Sequence, residues 1–214
     1  MIKISLRLKA VSDFIQENSK VIDIGCDHGL LDIFLAKNKC CTCLATDISA
    51  LCLKKAQENI KKYDVEKKIS TKVANGLEGI DHKKYDYVVI TGMGFGTISK
   101  ILKNKTPNKL IIQSNNNLEE LRRYLFKRYR LVDERVIFEN NIYYVILCLE
   151  KGKQKYRYED YIIGLNKDNS NYVNFLYNKY SDIYNKMPNK YILKKIKLYR
   201  KILLLKKYKK SINF

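Results

Sequence analysis

Tryptophan is absent from this sequence, proline occurs only twice in 214 residues, and 22 acidic residues stand against 42 basic ones. No apolar run approaches the ~20 residues that a bilayer-spanning helix requires. The opening segment, Met1-Ile-Lys-Ile-Ser-Leu-Arg-Leu, alternates charged and apolar side chains and lacks the apolar core of a signal peptide. We therefore expect a cytoplasmic protein that is not embedded in a membrane, and an apolar fraction of 46% indicates a globular one.

Disulfide and metal patterns are also missing. Cys40-x-x-Cys43 matches only half of a zinc site, no second CxxC pair accompanies it, and a strand is predicted at the same place. In a chain of this length, six unpatterned cysteines indicate reduced thiols in a cytosolic core. The sequence thus predicts no bound metal.

Positive charge, by contrast, is abundant. The formal net charge of +20 indicates a polyanionic partner, either nucleic acid or an anionic membrane surface. A/T-rich codons offer another explanation, because most of the basic residues are lysines. The distribution favours a polyanion, since residues 151–214 carry +13, residues 1–150 carry +7, and no acidic residue follows Asn189.

Short apolar runs alternate with helical patterns through the first 150 residues, as in a parallel sheet covered by helices. The last two predicted strands are joined only by Glu139-Asn140-Asn141, which leaves no room for a crossover helix, so this pair should be antiparallel. Such a succession is typical of the class I methyltransferase form of the Rossmann-like α/β fold. The predicted strands cover residues 21–25, 41–47, 69–73, 85–90, 109–113, 131–138 and 142–149.

The helices between these strands have recognisable ends. One should start near Leu30, and a second should run from Ser49, its predicted N-cap, to about Tyr63. A third should be closed by Pro107, and a fourth is predicted over 118–129.

The character of the chain changes after Glu150. Residues 153–170 form a predicted linker between a sheet domain at 1–152 and a basic helical domain that completes 153–214. Apolar residues recur at helical spacing on both sides of Pro188, which predicts a coiled-coil-like α-helical hairpin. We expect the two stripes to pack together in its seam; they are Val173, Leu176, Tyr180, Ile183 and Met187, and Ile192, Ile196, Tyr199 and Leu203.

A glycine-containing loop, Asp23-Ile24-Gly25-Cys26-Asp27-His28-Gly29, follows the first strand. Glycine permits close approach of an adenosyl or dinucleotide ligand beside a helix N-terminus, so Gly25 and Cys26 are candidate cofactor-binding residues. Asp23 is either a core carboxylate that fixes the loop, which we favour, or a cofactor contact. His28 is either the start of the helix or a site residue.

Polar and glycine residues also follow the next three strands. A carboxylate at the end of the second strand is placed to accept both hydroxyl groups of a ribose, and an amide after the third is placed to contact adenine. Because parallel strands present their carboxyl ends at one edge, these residues should form one site with the glycine loop. They are Asp47 and Ile48, Asn75 and Gly76, and Gly92 and Met93.

Asp27 stands where a nucleotide-binding loop usually has its middle glycine. A carboxylate there would repel the pyrophosphate of NAD, whereas S-adenosylmethionine carries a cationic sulfonium and an ammonium group. The charge of Asp27 therefore favours S-adenosylmethionine as the cofactor, and methyl transfer over hydride transfer.

Three motifs, Asp23-Ile24-Gly25-Cys26-Asp27-His28, Gly92-Met93-Gly94 and Gln113-Ser114-Asn115, resemble those of the bacterial tRNA (adenine-22-N1)-methyltransferase family. Leu6-Arg7-Leu8-x-x-Val11 and Tyr143 extend the resemblance along the chain. That family joins a class I methyltransferase domain to a C-terminal helical extension. The resemblance implies transfer of a methyl group from S-adenosylmethionine to N1 of adenine 22, in the D-arm of tRNA.

The resemblance also implies roles for individual residues. Asp27 is the candidate carboxylate that faces the cation formed on adenine, and Gly92, Met93, Gln113 and Asn115 would shape the base pocket. Arg7 would hold a phosphate or the base edge. The charge distribution adds predicted RNA contacts in the C-terminal helices, at Lys194, Lys197, Arg200 and Lys201.

The chain departs from the family pattern at three positions. Phe95 replaces the last glycine of Gly-Met-Gly-Gly, and Ser114 replaces the proline of Gln-Pro-Asn, which leaves the shape of the base pocket open. Asn75 stands where an acidic residue is commoner, but its amide oxygen still accepts a hydrogen bond.

Three other interpretations stay open at this point. The chain could methylate another RNA atom or ribosomal RNA, which would differ only in the base pocket. It could methylate a small molecule, although the +13 of its tail would then have no purpose. Finally, it could be a non-catalytic RNA-binding protein with a relict Rossmann domain, against which Gly25 and Asp47 argue. The sequence does not fix the oligomeric state, and a monomer is the simplest expectation.

Overall fold

A computed structural model describes residues 2–212. The chain divides between Lys155 and Tyr156 into two compact units.

The first unit is built on seven strands that form one sheet. Five of them pair in parallel and the last two form an antiparallel hairpin, so the predicted Rossmann-like fold with an antiparallel last strand is confirmed. The strands are β1 (Lys20–Ile24), β2 (Thr42–Asp47), β3 (Ile69–Val73), β4 (Tyr87–Met93), β5 (Lys109–Ser114), β6 (Tyr129–Glu139) and β7 (Ile142–Lys151). Their order across the sheet is β3-β2-β1-β4-β5-β7-β6.

Five α-helices and one short 3₁₀ helix at His82–Lys84 connect or precede these strands. The central strands are buried over most of their length, including Val21–Ile24 and Tyr87–Ile90, as expected when helices cover both faces of a parallel sheet. The α-helices are α1 (Leu6–Asp13), α2 (Leu30–Asn38), α3 (Ala50–Lys62), α4 (Phe95–Ile101) and α5 (Leu118–Leu125).

Four predicted helix ends agree with the structure and two differ: α2 starts at Leu30, α3 ends at Lys62 and α5 starts at Leu118, all as expected. Ser49 is the N-cap of α3 as predicted, with its hydroxyl accepting from the Cys52 N–H. α4 ends well before Pro107, and the helix predicted over 118–129 ends at Leu125. Tyr129 fits the helical spacing of α5, but it is the first, fully buried residue of β6.

The N-terminal helix α1 was not predicted, because its alternating charged and apolar residues do not give a helical stripe. It begins at the N-cap Ser5, whose hydroxyl accepts from the Leu8 N–H, and it buries Ala10 and Val11. The Lys39 ammonium stabilises its C-terminal end by donating hydrogen bonds to the backbone carbonyl oxygens of Ser12 and Ile15.

In the second unit, α7 (Ser170–Lys186) and α8 (Ile192–Ile212) form the predicted α-helical hairpin, with a short 3₁₀ turn between them. Their side chains meet in antiparallel order, since Tyr184 contacts Tyr199 and Tyr177 lies under Lys209. A further helix, α6 (Tyr158–Ile162), lies within the segment predicted as a linker. The helix was not predicted because the segment is mostly polar, but Ile162 and the residue after it, Ile163, are both buried.

The predicted seam of the hairpin was wrong for most of α8, where only Tyr199 of the predicted residues has a described contact with α7, through Tyr184. Ile192, Ile196, Tyr199 and Leu203 are between 47% and 65% exposed, and the buried residues are Leu198, Ile202 and Leu205. Both sets have helical spacing and lie on neighbouring faces of α8. Periodicity alone therefore could not identify the packed face. In α7 the prediction was closer, since Val173 and Leu176 are buried, although Ile183 is 41% exposed.

A buried ion pair joins α5 to β6. The Arg122 and Glu134 side chains are both fully buried, and Arg122 Nη2 lies 2.8 Å from Glu134 Oε1. Removing one partner leaves the other charge in the protein interior, so Glu134→Ala should lower the free energy of unfolding by ~3–5 kcal/mol. Urea unfolding measures the effect.

The matched control is Lys84→Ala, which breaks the exposed pair with Asp81 and should cost less than ~1 kcal/mol. Equal decreases in the two variants would contradict a special contribution from the buried pair.

Candidate active site

The loop after β1 adopts the left-handed backbone conformation that glycine favours. Gly25 and Gly29 have φ angles of +76° and +68°, and a side chain at Gly25 would collide with the Met93 methyl group. Asp27 has a φ angle of +52° in the same loop. This conformation is costly for most side chains, and aspartate tolerates it better than most, which explains how Asp27 occupies a position usually held by glycine.

Asp47 lies beside this loop at the end of β2. Its Oδ1 accepts from the Ser49 N–H at 2.8 Å and its Oδ2 from the Asp27 N–H at 3.4 Å. The neighbouring Ile48 is 71% exposed, an apolar surface next to the carboxylate.

The end of β3 lies next to the end of β2, since the Ala74 N–H donates to the Asp47 carbonyl oxygen. The Asn75 side chain is exposed, and its Nδ2 donates to Glu78 Oε1. The amide oxygen of Asn75 takes no part in this hydrogen bond. Gly76 has a φ angle of +61°, and a side chain there would collide with Ile101.

A closed set of hydrogen bonds surrounds Gly92, at the end of β4. Gln113 is buried, and its Oε1 accepts from the Arg7 guanidinium at 2.8 Å and from the Gly92 N–H at 3.0 Å. Its Nε2 donates to Asn115 Oδ1 at 3.0 Å, and Asn115 Nδ2 donates to the Gly92 carbonyl oxygen at 2.6 Å. Because Arg7 can only donate, it fixes the orientation of both amides. The backbone of Gly92 is thereby held on both sides.

Arg7 reaches this network from α1, which the β6–β7 hairpin holds in place. Glu139 Oε1 accepts from the Leu6 N–H at 2.8 Å and its Oε2 from the Arg7 N–H at 3.4 Å. A carboxylate at a helix N-terminus is also favoured by the helix dipole. The Arg7 guanidinium lies 5.4 Å from the centre of the Tyr144 ring. Sequence reasoning missed Glu139 and Tyr144; Ser5 was the available signal for α1, as an N-cap residue.

These elements enclose a cavity of about 290 Å³ between α1, the glycine loop and the end of β4. It brings together seven of the predicted site residues, namely Arg7, Asp23, Gly25, Cys26, Asp27, His28 and Gly92. Asp47, Ile48, Asn75, Gly76, Met93, Gln113 and Asn115 do not line it and lie at the carboxyl ends of β2 to β5.

Two aspartates are buried beneath the glycine loop. Burial raises the pKa of Asp23 to about 7, against the opposing effects of the Asp32 side chain and the Arg7 guanidinium, while Asp47 raises it further. Burial also raises the pKa of Asp32 well above its usual range, and the charge of Asp23 adds to this. Asp23 and Asp32 therefore keep their protons at pH values at which exposed aspartates would already have released them.

The remaining titratable residues of the loop differ in exposure. Burial raises the pKa of the Cys26 thiol, followed by the charges of Asp32 and Asp23, so Cys26 stays a neutral thiol. The His28 ring is 44% exposed, and its Nε2 lies 3.6 Å from Asp27 Oδ2. Within residues 2–212, all six cysteines are free, and no group of three or more His, Cys, Asp or Glu side chains is placed to hold a metal ion.

The four predicted RNA contacts of the second unit all lie on α8. Lys194, Lys197 and Arg200 are exposed, whereas Lys201 is half-buried and its ammonium lies 5.0 Å from the centre of the Tyr180 ring of α7. Lys201 thus faces the other helix rather than the outer surface. In the part of the chain that the structure describes, no helix is both long and apolar enough to cross a membrane.

The sheet with its antiparallel hairpin and the carboxylates at the strand ends define a class I methyltransferase domain. Residues 4–147 match the family described as "Methyltransferase domain". The tRNA (adenine(22)-N(1))-methyltransferase of Bacillus subtilis is 32% identical over 165 residues, which cover 74% of this chain and 69% of that protein. The chain therefore belongs to the tRNA (adenine(22)-N(1))-methyltransferase family.

Two solved structures share the fold over nearly the whole chain. M. capricolum TrmK, in complex with the natural cofactor product S-adenosyl-homocysteine, is 29% identical with a TM-score of 0.84, covering 98% of this chain and 99% of that one. Streptococcus pneumoniae Sp1610 in complex with S-adenosyl-L-methionine is 24% identical with a TM-score of 0.81, covering 97% and 100%.

The buried aspartates predict a pH dependence of stability. A carboxyl group whose pKa is raised in the folded protein stabilises the fold below its unfolded pKa, and this contribution is lost as pH rises through the folded pKa. Asp32→Asn removes one such group, so the variant should gain stability relative to wild type as pH rises above about 4, the ordinary pKa of an aspartate. Urea unfolding at several pH values measures the difference.

Asp13→Asn is the control of opposite sign. Although partial burial opposes it, pairing with Lys9 and Arg135 lowers the pKa of Asp13. That variant should be less stable than wild type near neutral pH, and its deficit should shrink as pH falls below about 4. A pH-independent difference between Asp32→Asn and wild type would contradict the raised pKa.

Proposed function

We propose that this protein transfers a methyl group from S-adenosylmethionine to N1 of adenine 22 in tRNA. The observation that carries the proposal is the hydrogen-bonded clamp on Gly92, which joins Arg7, Gln113 and Asn115 beside the cavity. At the end of β4 this clamp brings together three segments that are far apart in the sequence, those that contain Arg7, Gly92 and Gln113 with Asn115. Membership of the tRNA (adenine(22)-N(1))-methyltransferase family supports the substrate.

The cavity and its surroundings fit S-adenosylmethionine. Gly25 leaves room for close backbone approach, and the carboxylates of Asp27 and Asp47 suit a ligand with cationic groups and ribose hydroxyls. We assign Asp47 to the ribose, Ile48 and Asn75 with Gly76 to adenine, and the backbone of the loop around Gly25, Cys26 and His28 to the methionine end. Asp23 fixes the loop from beneath. The cofactor supplies an activated methyl group on its sulfonium.

Adenine N1 carries a free lone pair at neutral pH, so no base is needed to create the nucleophile. The residues must unstack the base, orient N1 towards the methyl group and stabilise the positive charge that forms on the ring. Gly92, Met93, Gln113 and Asn115 orient the base, and Arg7 holds a phosphate or the base edge. Asp27 is exposed at the cavity and supplies the negative charge.

The partner and location follow from the same proposal. tRNA is bound by the catalytic unit and by the basic helices, through the exposed Lys194, Lys197 and Arg200. Lys201, which the sequence also predicts as an RNA contact, is held against Tyr180 of α7 instead. A monomer in the cytoplasm is the simplest form of the enzyme, and six free cysteines agree with a reducing compartment.

Nucleotide mapping tests the function directly. Unmodified tRNA carrying an adenine at position 22 is incubated with the protein and S-adenosylmethionine, and the modified nucleotide is located. We expect N1-methyladenosine at that position. Methylation at another position, or of ribosomal RNA in preference to tRNA, would replace this substrate by the alternative one.

Asp27→Asn tests the role of the carboxylate in the chemical step. If Asp27 stabilises the adenine cation, single-turnover methylation with both ligands saturating should slow by on the order of 10²-fold or more, while both affinities stay near wild type. Asp64→Asn is the matched control, because Asp64 has a similar φ angle of +53° in an exposed turn. A rate within a few-fold of wild type would exclude Asp27 from the chemistry, and weaker cofactor binding with turnover restored at saturation would assign it to cofactor binding.

The basic face of α8 predicts a salt-dependent contribution to RNA binding. Replacing Lys194, Lys197 and Arg200 by alanine should weaken tRNA binding and reduce the slope of log K against log salt by up to ~1 for each phosphate that is no longer neutralised. Cofactor affinity should not change. The control replaces Lys61, Lys62 and Lys67, which are exposed in the first unit and end or follow α3. Equal salt slopes for the α8 variant and wild type would contradict RNA binding by α8.

A further inference from the structure

The β6–β7 hairpin extends past the rest of the sheet at the edge that carries the candidate site. β7 pairs with β5 as far as Ile146 opposite Gln113, whereas its pairing with β6 continues to Ile142 opposite Glu139. Residues 142–145 therefore project by about 13 Å beyond the last β5 pair. This projection forms a wall next to the Gln113 network.

Two aromatic rings face each other on this wall. Phe138 and Tyr143 are directly opposed in the ladder, with ring centroids 4.6 Å apart and planes inclined by 42°. Phe138 is 54% exposed, although it is the more apolar of the two. Tyr144 lies on the opposite face of the hairpin, because side chains alternate along a strand, and there the Arg7 guanidinium covers its ring.

The proposed reaction creates a need for such a surface. N1 lies on the pairing edge of adenine, so the base must leave its stack before it can react, and the neighbouring bases are then without a stacking partner. An exposed aromatic ring can replace that partner, and it does so for any base because every base has a π-face. The net charge of +20 favours an RNA occupant over a second copy of the chain, which would bring like charges together.

We propose that the Phe138–Tyr143 pair is a stacking platform for a base adjacent to the flipped adenine of the tRNA substrate. The proposal rests on the proposed function and adds an apolar contact to the phosphate contacts of the basic residues. A cross-strand aromatic pair also stabilises a hairpin, so the test must separate stacking on RNA from stability of the fold.

The experiment compares Phe138→Ala, Phe138→Leu and Phe138→Tyr in the full chain. Val132→Ala is the matched control, an exposed apolar residue at the opposite end of the same strand. Steady-state methylation gives KM and kcat for tRNA, calorimetry gives the affinity for S-adenosylmethionine, and binding is repeated over a range of salt. Thermal unfolding and sedimentation report on stability and oligomeric state.

Phe138→Ala should raise KM for tRNA about tenfold or more, as expected when a base is deprived of an aromatic stacking partner. Cofactor affinity and the salt slope should stay at wild-type values, since no basic side chain is removed. Phe138→Leu keeps the apolar bulk without a ring face and should be impaired, whereas Phe138→Tyr and Val132→Ala should behave as wild type. This contrast stands even if the alanine variant is unstable.

A wild-type KM in Phe138→Leu, measured with protein that methylates tRNA, would overturn the platform and leave the proposed function intact. A change of oligomeric state in the Phe138 variants would also overturn it, in favour of a second copy as the occupant. Failure of the wild-type protein to methylate tRNA would instead refute the proposed function.

Discussion

The buried amide of Gln113 is the group on which the candidate site depends. One oxygen accepts from a side chain of α1 and from the backbone of β4, and the nitrogen of the same amide sets the orientation of Asn115. Parallel strands bring their carboxyl ends to one edge, but they do not by themselves define how a loop there is oriented. Gln113 sets the orientation of the Gly92 backbone. Its own oxygen accepts from the Gly92 N–H, and Asn115, which it orients, donates to the Gly92 carbonyl oxygen.

Much of the sheet, and the grouping of carboxylates at the carboxyl edge of its strands, could be predicted from the sequence. Buried parallel strands are nearly continuous apolar runs, so β1 and β4 were recognisable from composition alone. Asp27 and Asp47 follow such strands, and strand topology then places them near each other without any knowledge of side-chain contacts. The Asp27 N–H and the Asp47 carboxylate indeed lie 3.4 Å apart.

The parts that could not be predicted depend on contacts between distant segments or on a choice between equivalent faces. Glu139 is an ordinary acidic residue at a hairpin turn, and only the fold places it at the N-terminus of α1. In α8, apolar residues occupy two neighbouring faces, so the period that identified the helix could not say which face is covered by α7. Lys201 illustrates the result, because it belongs to a basic cluster in the sequence but lies over a tyrosine of α7 in the structure.

The attachment of α1 to the hairpin also sets the order in which this protein can be completed during translation. Leu6 is synthesised 133 positions before its partner Glu139. Contacts of such long sequence separation close only after the intervening chain has been ordered. The contact between Glu139 and the start of α1, which positions Arg7, therefore forms near the end of synthesis of the first unit. A nascent chain therefore carries the glycine loop and Asp47 long before Arg7 is held in place beside them.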